Sequence, residues 1–376
     1  MGNTEFVLLI IILITALSYT LLIVSLTRGW LRLKQFGLKE NFSTFISVVV
    51  PVRNEAHMLE NLINLLESQQ YPIEFHEFIL VNDHSTDQSP EILNKINSTD
   101  RFKVFHLPDA SSGKKAAIRY GIEHASGTLI TTLDADCMPG PNWLASIASC
   151  YEESKFKMIA GPVSVYKPRG YLASFQALEL LSLVASGGGA IGLKKPIMCN
   201  GANLSYEKKV FKEVGGFKGN ERIPGGDDIF MMEKVNRYYP KGSIGFNTLP
   251  EGMVYTPAAS TLKGFLNQRF RWVAKSKAYK DAFLITSALI VLLFNLCLLA
   301  ALVFAFISLP GLLIFGGLFL LKCLIDFPIL WKAVKFSGQT RLFGNYISFQ
   351  FIYFIFASLS GVLGNVFSFS WKGRRK

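Results

Sequence analysis

Two aspartates separated by one residue follow an apolar stretch near the middle of the chain. They form Asp134-Ala135-Asp136, directly after the run 128–133. Two carboxylates at positions i and i+2 of a turn can reach one hard divalent cation, which in turn neutralises a diphosphate. Asp-x-Asp also arises easily by chance, so a solvated turn is the alternative unless other residues join this pair.

A second acid, Asp83, lies in the polar turn 82–87. A carboxylate at the end of a strand can accept hydrogen bonds from a base or a ribose. The alternative is a turn or a helix cap, for which Asp87 is the obvious residue.

A third acidic group follows a glycine pair, in Gly225-Gly226-Asp227-Asp228. An acid after a flexible loop can serve as a general base. The alternative is the start of a helix, where first-turn acids are favourable.

The elements that must position these acids alternate between strand and helix from residue 45 onward. β-branched runs predict strands, and apolar residues at helical spacing predict helices between them. The predicted strands are 45–52, 77–81, 102–107 and 128–133, and the predicted helices are 55–69, 91–96 and 114–125. This alternation predicts an α/β fold, a mostly parallel sheet covered by helices. Since ligands bind beyond the carboxyl ends of such strands, the clusters 52–55, 82–87 and 134–136 are expected to form one site.

Apolar runs at both ends of the chain predict membrane-spanning helices, each covering the roughly 20 residues that a bilayer requires. They are 6–26, 282–307, 309–330 and 346–370. The first run has no leading positive charge and is followed by Arg28, Arg32 and Lys34. It therefore predicts an anchor rather than a cleaved signal, with residues 28–281 in the cytoplasm.

Two further segments are predicted to lie at or near the membrane. Residues 171–192 are almost uncharged, but Glu179 and Gly187–Gly189 favour a buried or membrane-surface helix over a span. Residues 261–280 contain six bases and no acid. This stretch predicts a basic amphipathic helix on the membrane surface.

Charge and cysteine content exclude other classes. The net charge of +12 is concentrated beside the apolar runs and in the tail 372–376, which fits anionic lipid headgroups rather than nucleic acid. The five cysteines show no metal-ligand spacing, so they are expected to be free thiols in a reducing compartment.

Taken in order, these features resemble family 2 of the glycosyltransferases, the inverting GT-A type. The branch is the membrane-bound one, with cellulose, hyaluronan and poly-N-acetylglucosamine synthases and ceramide glucosyltransferases. The matching segments are Pro51-Val52-Arg53-Asn54-Glu55, Asp83, Gly113-Lys114, Asp134 with Asp136, Gly201-Ala202-Asn203, Gly215-Gly216-Phe217, Asp227-Asp228 and Gln268-Arg269-Phe270-Arg271-Trp272. The chain departs from the family at Asn82, Arg119 and Asp227, which stand where Asp, Asn and Glu are usual.

The resemblance implies a role for each matched residue. The donor would be bound by Pro51, Glu55, Asp83, Lys114, Asp134, Gln268, Arg271 and Trp272. Asp136 would bind a divalent cation (Mg²⁺ or Mn²⁺). Asn203 and Asp227 would lie on the acceptor side, and Asp228 would be the catalytic base. The implied donor is a UDP-sugar of glucose or N-acetylglucosamine. The implied acceptor is a lipid or a growing glycan at the cell inner membrane, and a polymer acceptor would call for an accessory membrane subunit.

The implied architecture is a Rossmann-like GT-A sheet with helices on both faces and transmembrane helices at both ends. Its segments are an anchor (1–27), a cytoplasmic catalytic domain (28–260), a membrane-surface helix (261–281), about three transmembrane helices (282–370) and a basic tail (371–376). Two alternatives stay open. The chain could be a transporter or flippase, for which Lys322 and Asp326 are the ionisable residues inside the spans, or an inactive scaffold.

Overall fold

The computed structural model describes residues 3–96, 101–221, 223, 225–364, 370–371 and 374–375. Its helices are α1 (Asn3–Leu31), α2 (Ala56–Glu67), α3 (Ser89–Ile96), α4 (Lys114–His124), α5 (Trp143–Ser154), α6 (Gly170–Gly192), α7 (Lys208–Glu213), α8 (Asp227–Tyr238), α9 (Leu262–Ala274), α10 (Ala282–Ala305), α11 (Leu309–Phe336) and α12 (Tyr346–Leu363). Its strands are β1 (Ile46–Val52), β2 (His76–Asn82), β3 (Phe102–His106), β4 (Leu129–Thr132), β5 (Met138–Pro139), β6 (Met158–Ala160), β7 (Val163–Val165), β8 (Leu204–Glu207), β9 (Ile244–Phe246), β10 (Val254–Thr256), β11 (Ser370–Trp371) and β12 (Arg374–Arg375). Tail residues Lys372 and Lys376 lie outside the described residues.

The chain divides into two units, a sheet unit and a helical unit. The sheet unit comprises Leu33–Lys167 and Lys194–Pro257. The helical unit comprises Met1–Arg32, Pro168–Leu193 and Ala258–Lys376. The expected catalytic domain 28–260 is therefore interrupted, because α6 belongs to the helical unit.

The main sheet has the strand order β3-β2-β1-β4-β8-β6-β9 within the described residues. Strands β1 to β4 pair in parallel, whereas β8 is antiparallel to both β4 and β6. Every residue of β2 is buried, as expected of an apolar strand covered on both faces. The predicted mostly parallel α/β sheet is confirmed, with β8 as an antiparallel insertion. A smaller sheet has the order β5-β10-β7.

The parallel register brings the predicted polar clusters to one edge of the main sheet. Val52 at the end of β1 pairs with Asn82 at the end of β2, and Asn82 pairs with His106 at the end of β3. Strand β4 runs parallel to β1, with Thr132 opposite Val49. The loops that follow β1, β2 and β4 therefore leave the sheet on the same side.

Five helices in the described part of the chain are long and apolar enough to cross a membrane: Val7–Leu31, Gly170–Gly192, Ala282–Ala305, Leu309–Phe336 and Thr340–Leu363. Four of them correspond to the predicted runs. The fifth is α6, which is apolar enough to be a span, but 72% of its most apolar segment is buried inside the protein. Hydropathy alone therefore does not tell whether α6 crosses the membrane.

The connections of α6 argue against a single crossing. The segments before and after it, 33–167 and 194–257, belong to the same unit, and strands β4 and β8 from these two segments pair directly. One crossing would place them on opposite sides of a membrane. We infer that the chain enters and leaves α6 on the same side.

Glycines allow the backbones of α1 and α6 to touch. A Cβ atom added to Gly29 would lie 1.9 Å from the carbonyl oxygen of Gly189, and one added to Gly192 would lie 2.0 Å from that of Gly29. Small residues at such crossings are the usual means of close helix packing in membranes. The last turns of α1 thus contact the last turns of α6 closely.

A buried polar network joins α1, α11 and α12. Lys322 is 0% exposed, and its Nζ donates to Asp326 Oδ2 at 2.5 Å and to the Tyr19 hydroxyl at 3.0 Å. The Tyr19 hydroxyl donates to Asp326 Oδ1 at 2.7 Å, and Gln350 Nε2 donates to Asp326 Oδ2 at 3.1 Å. The two ionisable residues considered for a transporter are therefore paired with each other.

This pairing predicts the stability of two variants. Asp326→Leu leaves the Lys322 ammonium buried without its counter-ion, which typically costs about 3–5 kcal/mol. The double variant Lys322→Met/Asp326→Leu removes both charges and should regain most of that loss. Thermal unfolding in detergent measures both. A single variant as stable as the wild type would mean that the pair contributes nothing to the helical unit.

Candidate active site

Hydrogen bonds tie together the loops that follow β1 and β2. Arg53 Nη1 donates to the carbonyl oxygen of Asp83 at 2.6 Å, and Asn54 Oδ1 accepts from the N–H of Thr86 at 2.8 Å. Asn54 adopts a left-handed φ of 52°, which asparagine tolerates better than most residues. Asp83 is 2% exposed, and its Oδ1 accepts from the N–H of Gly113 at 3.0 Å. Asp83 thus connects this edge of the sheet to the start of α4.

The first loop also carries Pro51 and Glu55. Pro51 lies in β1, opposite Val81 of β2, and is half-buried. Glu55 precedes α2 and is 5% exposed; its N–H donates to Ser89 Oγ at 3.0 Å. Both predicted donor residues therefore lie at the carboxyl end of β1.

Lys114, the first residue of α4, joins two acidic motifs that are far apart in the sequence. Its Nζ lies 2.7 Å from Asp134 Oδ1 and 3.1 Å from Asp227 Oδ2. Burial alone would lower the pKa of Lys114, but Asp134, Asp227 and the nearby Asp228 raise that pKa above its ordinary value. The lysine is therefore a permanent cation between the Asp-x-Asp motif and the Gly-Gly-Asp-Asp motif.

Asp228 is held by backbone N–H groups. Its Oδ2 accepts from Gly201 at 3.2 Å and its Oδ1 from Ile229 at 2.8 Å. Asp227 and Asp228 form the first turn of α8, after Gly226 with a φ of 71°. These two acids therefore do begin a helix, as the alternative interpretation of the motif predicts. In addition, Asp227 contacts Lys114 and Asp228 accepts from Gly201, so both acids are linked to other predicted site segments.

Gly201 has no room for a side chain. An added Cβ atom would lie 2.6 Å from Asp227 Oδ2 and 3.4 Å from Lys114 Nζ. Thr132 Oγ1 also donates to the Gly201 carbonyl oxygen at 2.8 Å. Glycine is thus required here by the close approach of a carboxylate, not by a special backbone angle.

We expect Gly201→Ala to push Asp227 away from Lys114 and to lower transfer by about tenfold to a hundredfold, since a displacement near 1 Å can cost that much. Gly140→Ala is the matched control, because a Cβ atom at Gly140 would meet nothing within 4 Å. The measurement is the steady-state transfer rate of each purified variant. Equal activity of the two would show that the Asp227–Lys114 contact has no catalytic importance.

Asn203, which is expected on the acceptor side, makes its hydrogen bonds inside the sheet unit. Its side chain is 1% exposed, donates to the carbonyl oxygens of Pro162 and Gly252 at 2.8 Å each, and accepts from Trp143 Nε1 at 3.0 Å. An amide engaged in this way holds three segments of the sheet unit together.

Asp136 is the predicted cation ligand, and it is half-buried, as is Asp134, with Ala135 buried between them. Among the described residues no cluster of three His, Cys, Asp or Glu side chains forms a closed metal site. Two carboxylates separated by one residue suit Mg²⁺ or Mn²⁺, which binds through one or two carboxylates together with phosphate oxygens and water.

The two cysteines nearest the acids are not poised as nucleophiles. Burial raises the pKa of Cys137, and Asp136 and Asp134 raise it further. Burial likewise raises the pKa of Cys199, with Asp228 and Asp227 adding to the shift. Both shifts favour the neutral thiol over the thiolate.

Sequence reasoning did not single out Lys115, the neighbour of Lys114. Its Nζ donates to the carbonyl oxygens of Asn220 at 2.6 Å and Ile223 at 2.9 Å, and it lies 5.0 Å from the ring centroid of Phe230. Lys115 therefore holds the segment that leads to Asp227. Two successive lysines at a helix start were the only available signal, and surface lysines at helix starts are common.

Gln268, Arg271 and Trp272 belong to the helical unit, on α9, and all three are half-buried. The helix begins at Leu262 because Thr261 caps it, its side chain accepting from the N–H of Gly264 at 3.1 Å. The predicted amphipathic helix is thus present, although it ends earlier than expected, at Ala274.

A mostly parallel sheet with an Asp-x-Asp turn at its carboxyl edge is the arrangement of GT-A-type glycosyltransferases, and five helices in the described part of the chain are apolar enough to cross a membrane. Residues 47–215 match the model of the family described as Glycosyl transferase family 2. The predicted resemblance to this family is confirmed over the matched segment.

Known relatives are similar over part of their length. Glycosyltransferase AglE of Haloferax volcanii is 30% identical over 186 residues, 49% of this chain and 59% of that protein. A poly-β-1,6-N-acetyl-D-glucosamine synthase of Staphylococcus epidermidis is 24% identical over 236 residues, 60% of this chain and 53% of that protein. The chain thus spans between 53% and 59% of the length of these two relatives.

Among solved structures, the mannosyltransferase PcManGT from Pyrobaculum calidifontis, in complex with GDP-Man and Mn²⁺, has a similar fold. The TM-score is 0.57 at 19% identity, over 93% of this chain and 99% of that chain. At this identity the likeness supports the GT-A-type fold alone.

Proposed function

We propose that the protein transfers a hexose, glucose or N-acetylglucosamine, from a UDP-sugar to a lipid or glycan acceptor at the membrane. The observation that carries this proposal is the contact of Lys114 with both Asp134 and Asp227. One cation thereby links the motif assigned to the donor with the motif assigned to the acceptor. A sugar transferase needs these two groups side by side.

The proposed reaction is a single displacement. The acceptor hydroxyl gives its proton to the Asp228 carboxylate while its oxygen forms a bond to the anomeric carbon of the donor. The bond from that carbon to the diphosphate oxygen breaks, and the nucleoside diphosphate leaves with the electron pair. One displacement inverts the configuration of the anomeric carbon.

Asp136, with Asp134 beside it, would hold a Mg²⁺ or Mn²⁺ ion. When bound, the ion would neutralise charge on the leaving diphosphate. Lys114 places a fixed positive charge beside Asp134. Asp227, on the acceptor side, orients the Lys114 ammonium group. Both Asp134 and Asp136 are half-buried, so solvent reaches both residues.

The remaining donor contacts are proposed from the family resemblance. Pro51, Glu55 and Asp83 would lie against the nucleoside. Gln268, Arg271 and Trp272 would contact the diphosphate and the sugar, since Arg pairs with phosphates in a bidentate manner and Trp stacks on sugars.

We place the protein in the cell inner membrane with the sheet unit in the cytoplasm. Arg28 lies in the last turn of α1, and Arg32 and Lys34 follow that helix; basic residues flank spans on the cytoplasmic side. Membrane lipids therefore surround the helical unit, and a lipid or membrane-held glycan is the acceptor best suited to this location. Nucleic acid has no part in the proposal.

A screen of nucleotide sugars tests the proposal. Purified protein in lipid vesicles is incubated with UDP-glucose, UDP-N-acetylglucosamine and GDP-mannose, with Mn²⁺ or with EDTA, and released nucleotide is measured. We expect release of UDP that requires the cation. A flippase or an inactive scaffold would release none. Release from GDP-mannose alone would overturn the assignment of the donor while keeping the class.

A further inference from the structure

Arg269, a residue of α9 that no predicted role includes, makes several contacts inside the helical unit. It is 5% exposed. Its Nε donates to Glu179 Oε1 at 2.9 Å and its Nη2 to Glu179 Oε2, so the guanidinium and the carboxylate form a bidentate pair between α9 and α6. Glu179 is 4% exposed. Two charges buried this deeply are tolerated only because each compensates the other.

The same guanidinium contacts two residues of the Gln-x-x-Arg-Trp motif. Its Nη1 donates to Gln268 Oε1 at 2.6 Å. Its central carbon lies 4.1 Å from the ring centroid of Trp272 and 4.6 Å from that of Phe265. Phe265 is 1% exposed, so one side of the guanidinium rests on the apolar core of the unit.

These contacts fix the orientation of Gln268. Arginine has only hydrogen-bond donors, so the atom of Gln268 that faces Nη1 must be its oxygen. The amide NH₂ group of Gln268 therefore points away from Arg269 as a donor. The indole of Trp272 is held in the same way, by its stacking on the guanidinium plane.

We propose that the Glu179–Arg269 pair is a positioning device for the sugar-binding motif. Glu179 of α6 fixes the guanidinium, and the guanidinium fixes the side chains of Gln268 and Trp272 for the donor. The expected effect on sugar transfer rests on the proposed function. Arg269 and Glu179 are positioning residues, because neither is assigned a contact with the substrate.

Three substitutions separate charge, geometry and hydrogen bonding. Glu179→Gln keeps the shape but removes the carboxylate that aligns Arg269. Arg269→Lys keeps the charge but removes the planar fork, the bond to Gln268 and the stack on Trp272. Gln268→Glu keeps an acceptor for Arg269 but removes the outward NH₂ donor. We expect each to lower kcat/KM by about tenfold to a hundredfold.

The readout beyond activity is the environment of Trp272. Acrylamide quenching is measured for each variant with and without Trp272→Phe, so that the difference isolates one indole among five tryptophans. We expect Glu179→Gln and Arg269→Lys to make Trp272 more accessible, and Gln268→Glu to leave its quenching unchanged. A merely stabilising pair would alter thermal unfolding without this pattern.

Asp326→Asn is the matched control, because it removes a different buried ion pair of the same unit. At equal folded fraction we expect it to keep transfer and the quenching of Trp272. Equal losses in Asp326→Asn and Glu179→Gln would overturn the proposal, as would unchanged Trp272 quenching in Arg269→Lys. If the wild type transfers no sugar, the proposed function fails, whereas the quenching comparison still decides the role of the pair.

Discussion

Replacing Asp228 by Asn should lower sugar transfer by about a hundredfold to ten-thousandfold while leaving donor binding close to that of the wild type. Loss of a general base has consequences of this order. Asn keeps nearly the shape of Asp, and its single oxygen can still accept one of the two backbone bonds, from Gly201 or from Ile229. It cannot take the proton of an acceptor hydroxyl. Calorimetry with the donor, run beside product formation, separates the two effects.

Asp227→Asn is the natural companion variant. Asp227 is 7% exposed and its Oδ2 lies 3.1 Å from Lys114 Nζ, so it is buried in an ion pair, whereas Asp228 is half-exposed. We expect a milder loss for Asp227→Asn, about tenfold, from the misplacement of Lys114. Near-normal transfer by Asp228→Asn together with an inactive Asp227→Asn would assign the base to the other neighbour. If neither variant lost activity, these acids would only begin α8.

Asp136→Ala should abolish donor binding that depends on the cation, and transfer with it. A divalent ion contributes several kcal/mol to the stabilisation of a leaving diphosphate, so the loss should reach about a thousandfold. The measurement is a calorimetric titration of the donor with Mn²⁺ and with EDTA. In the wild type the two titrations should differ, and in Asp136→Ala they should coincide.

Asp109→Ala controls for the removal of a carboxylate from the sheet unit. Asp109 is fully exposed and lies 3.7 Å from His84 Nε2, in the segment that leads to α4. It should bind donor and cation as the wild type does. Retention of the Mn²⁺-dependent signal by Asp136→Ala would remove Asp136 from the cation site and leave the Asp-x-Asp sequence as a solvated turn.

The strands at the amino end of the sheet unit were predictable because their signal is local. Residues 45–52 form a β-branched run, and β1 begins one residue later than expected, at Ile46. The carboxyl ends of parallel strands lie at the same edge of a sheet. The loops that follow β1, β2 and β4 could therefore be expected to come together at that edge.

Features that depend on distant pairing could not be predicted in this way. Strand β8 is only four residues long, and its antiparallel position between β4 and β6 is a property of the whole sheet. Helix α6 continues through Gly187–Gly189 to Gly192, although glycine is a poor helix former. Its close contact with α1 involves Gly189 and Gly192, and the sequence of α6 alone could not show that contact.

The contacts of two polar residues could not be predicted for the same reason. Asn203 matched an acceptor-side segment, yet its amide is saturated by Pro162, Gly252 and Trp143. Arg269 filled an unspecified position of a motif, yet it makes the buried pair with Glu179. Burial and partners decide such roles, and neither is encoded within a few neighbouring residues.

The configuration of the transferred sugar tests the central claim most directly. Donor labelled with ¹³C at the anomeric carbon is incubated with the protein in lipid vesicles and Mn²⁺, and the anomeric coupling of the product is read by NMR. We predict one sugar–acceptor product with the configuration opposite to that of the donor, absent with EDTA and reduced in Asp228→Asn. A product that retains the donor configuration, or nucleotide release with no sugar attached to any acceptor, would contradict a single displacement with Asp228 as its base.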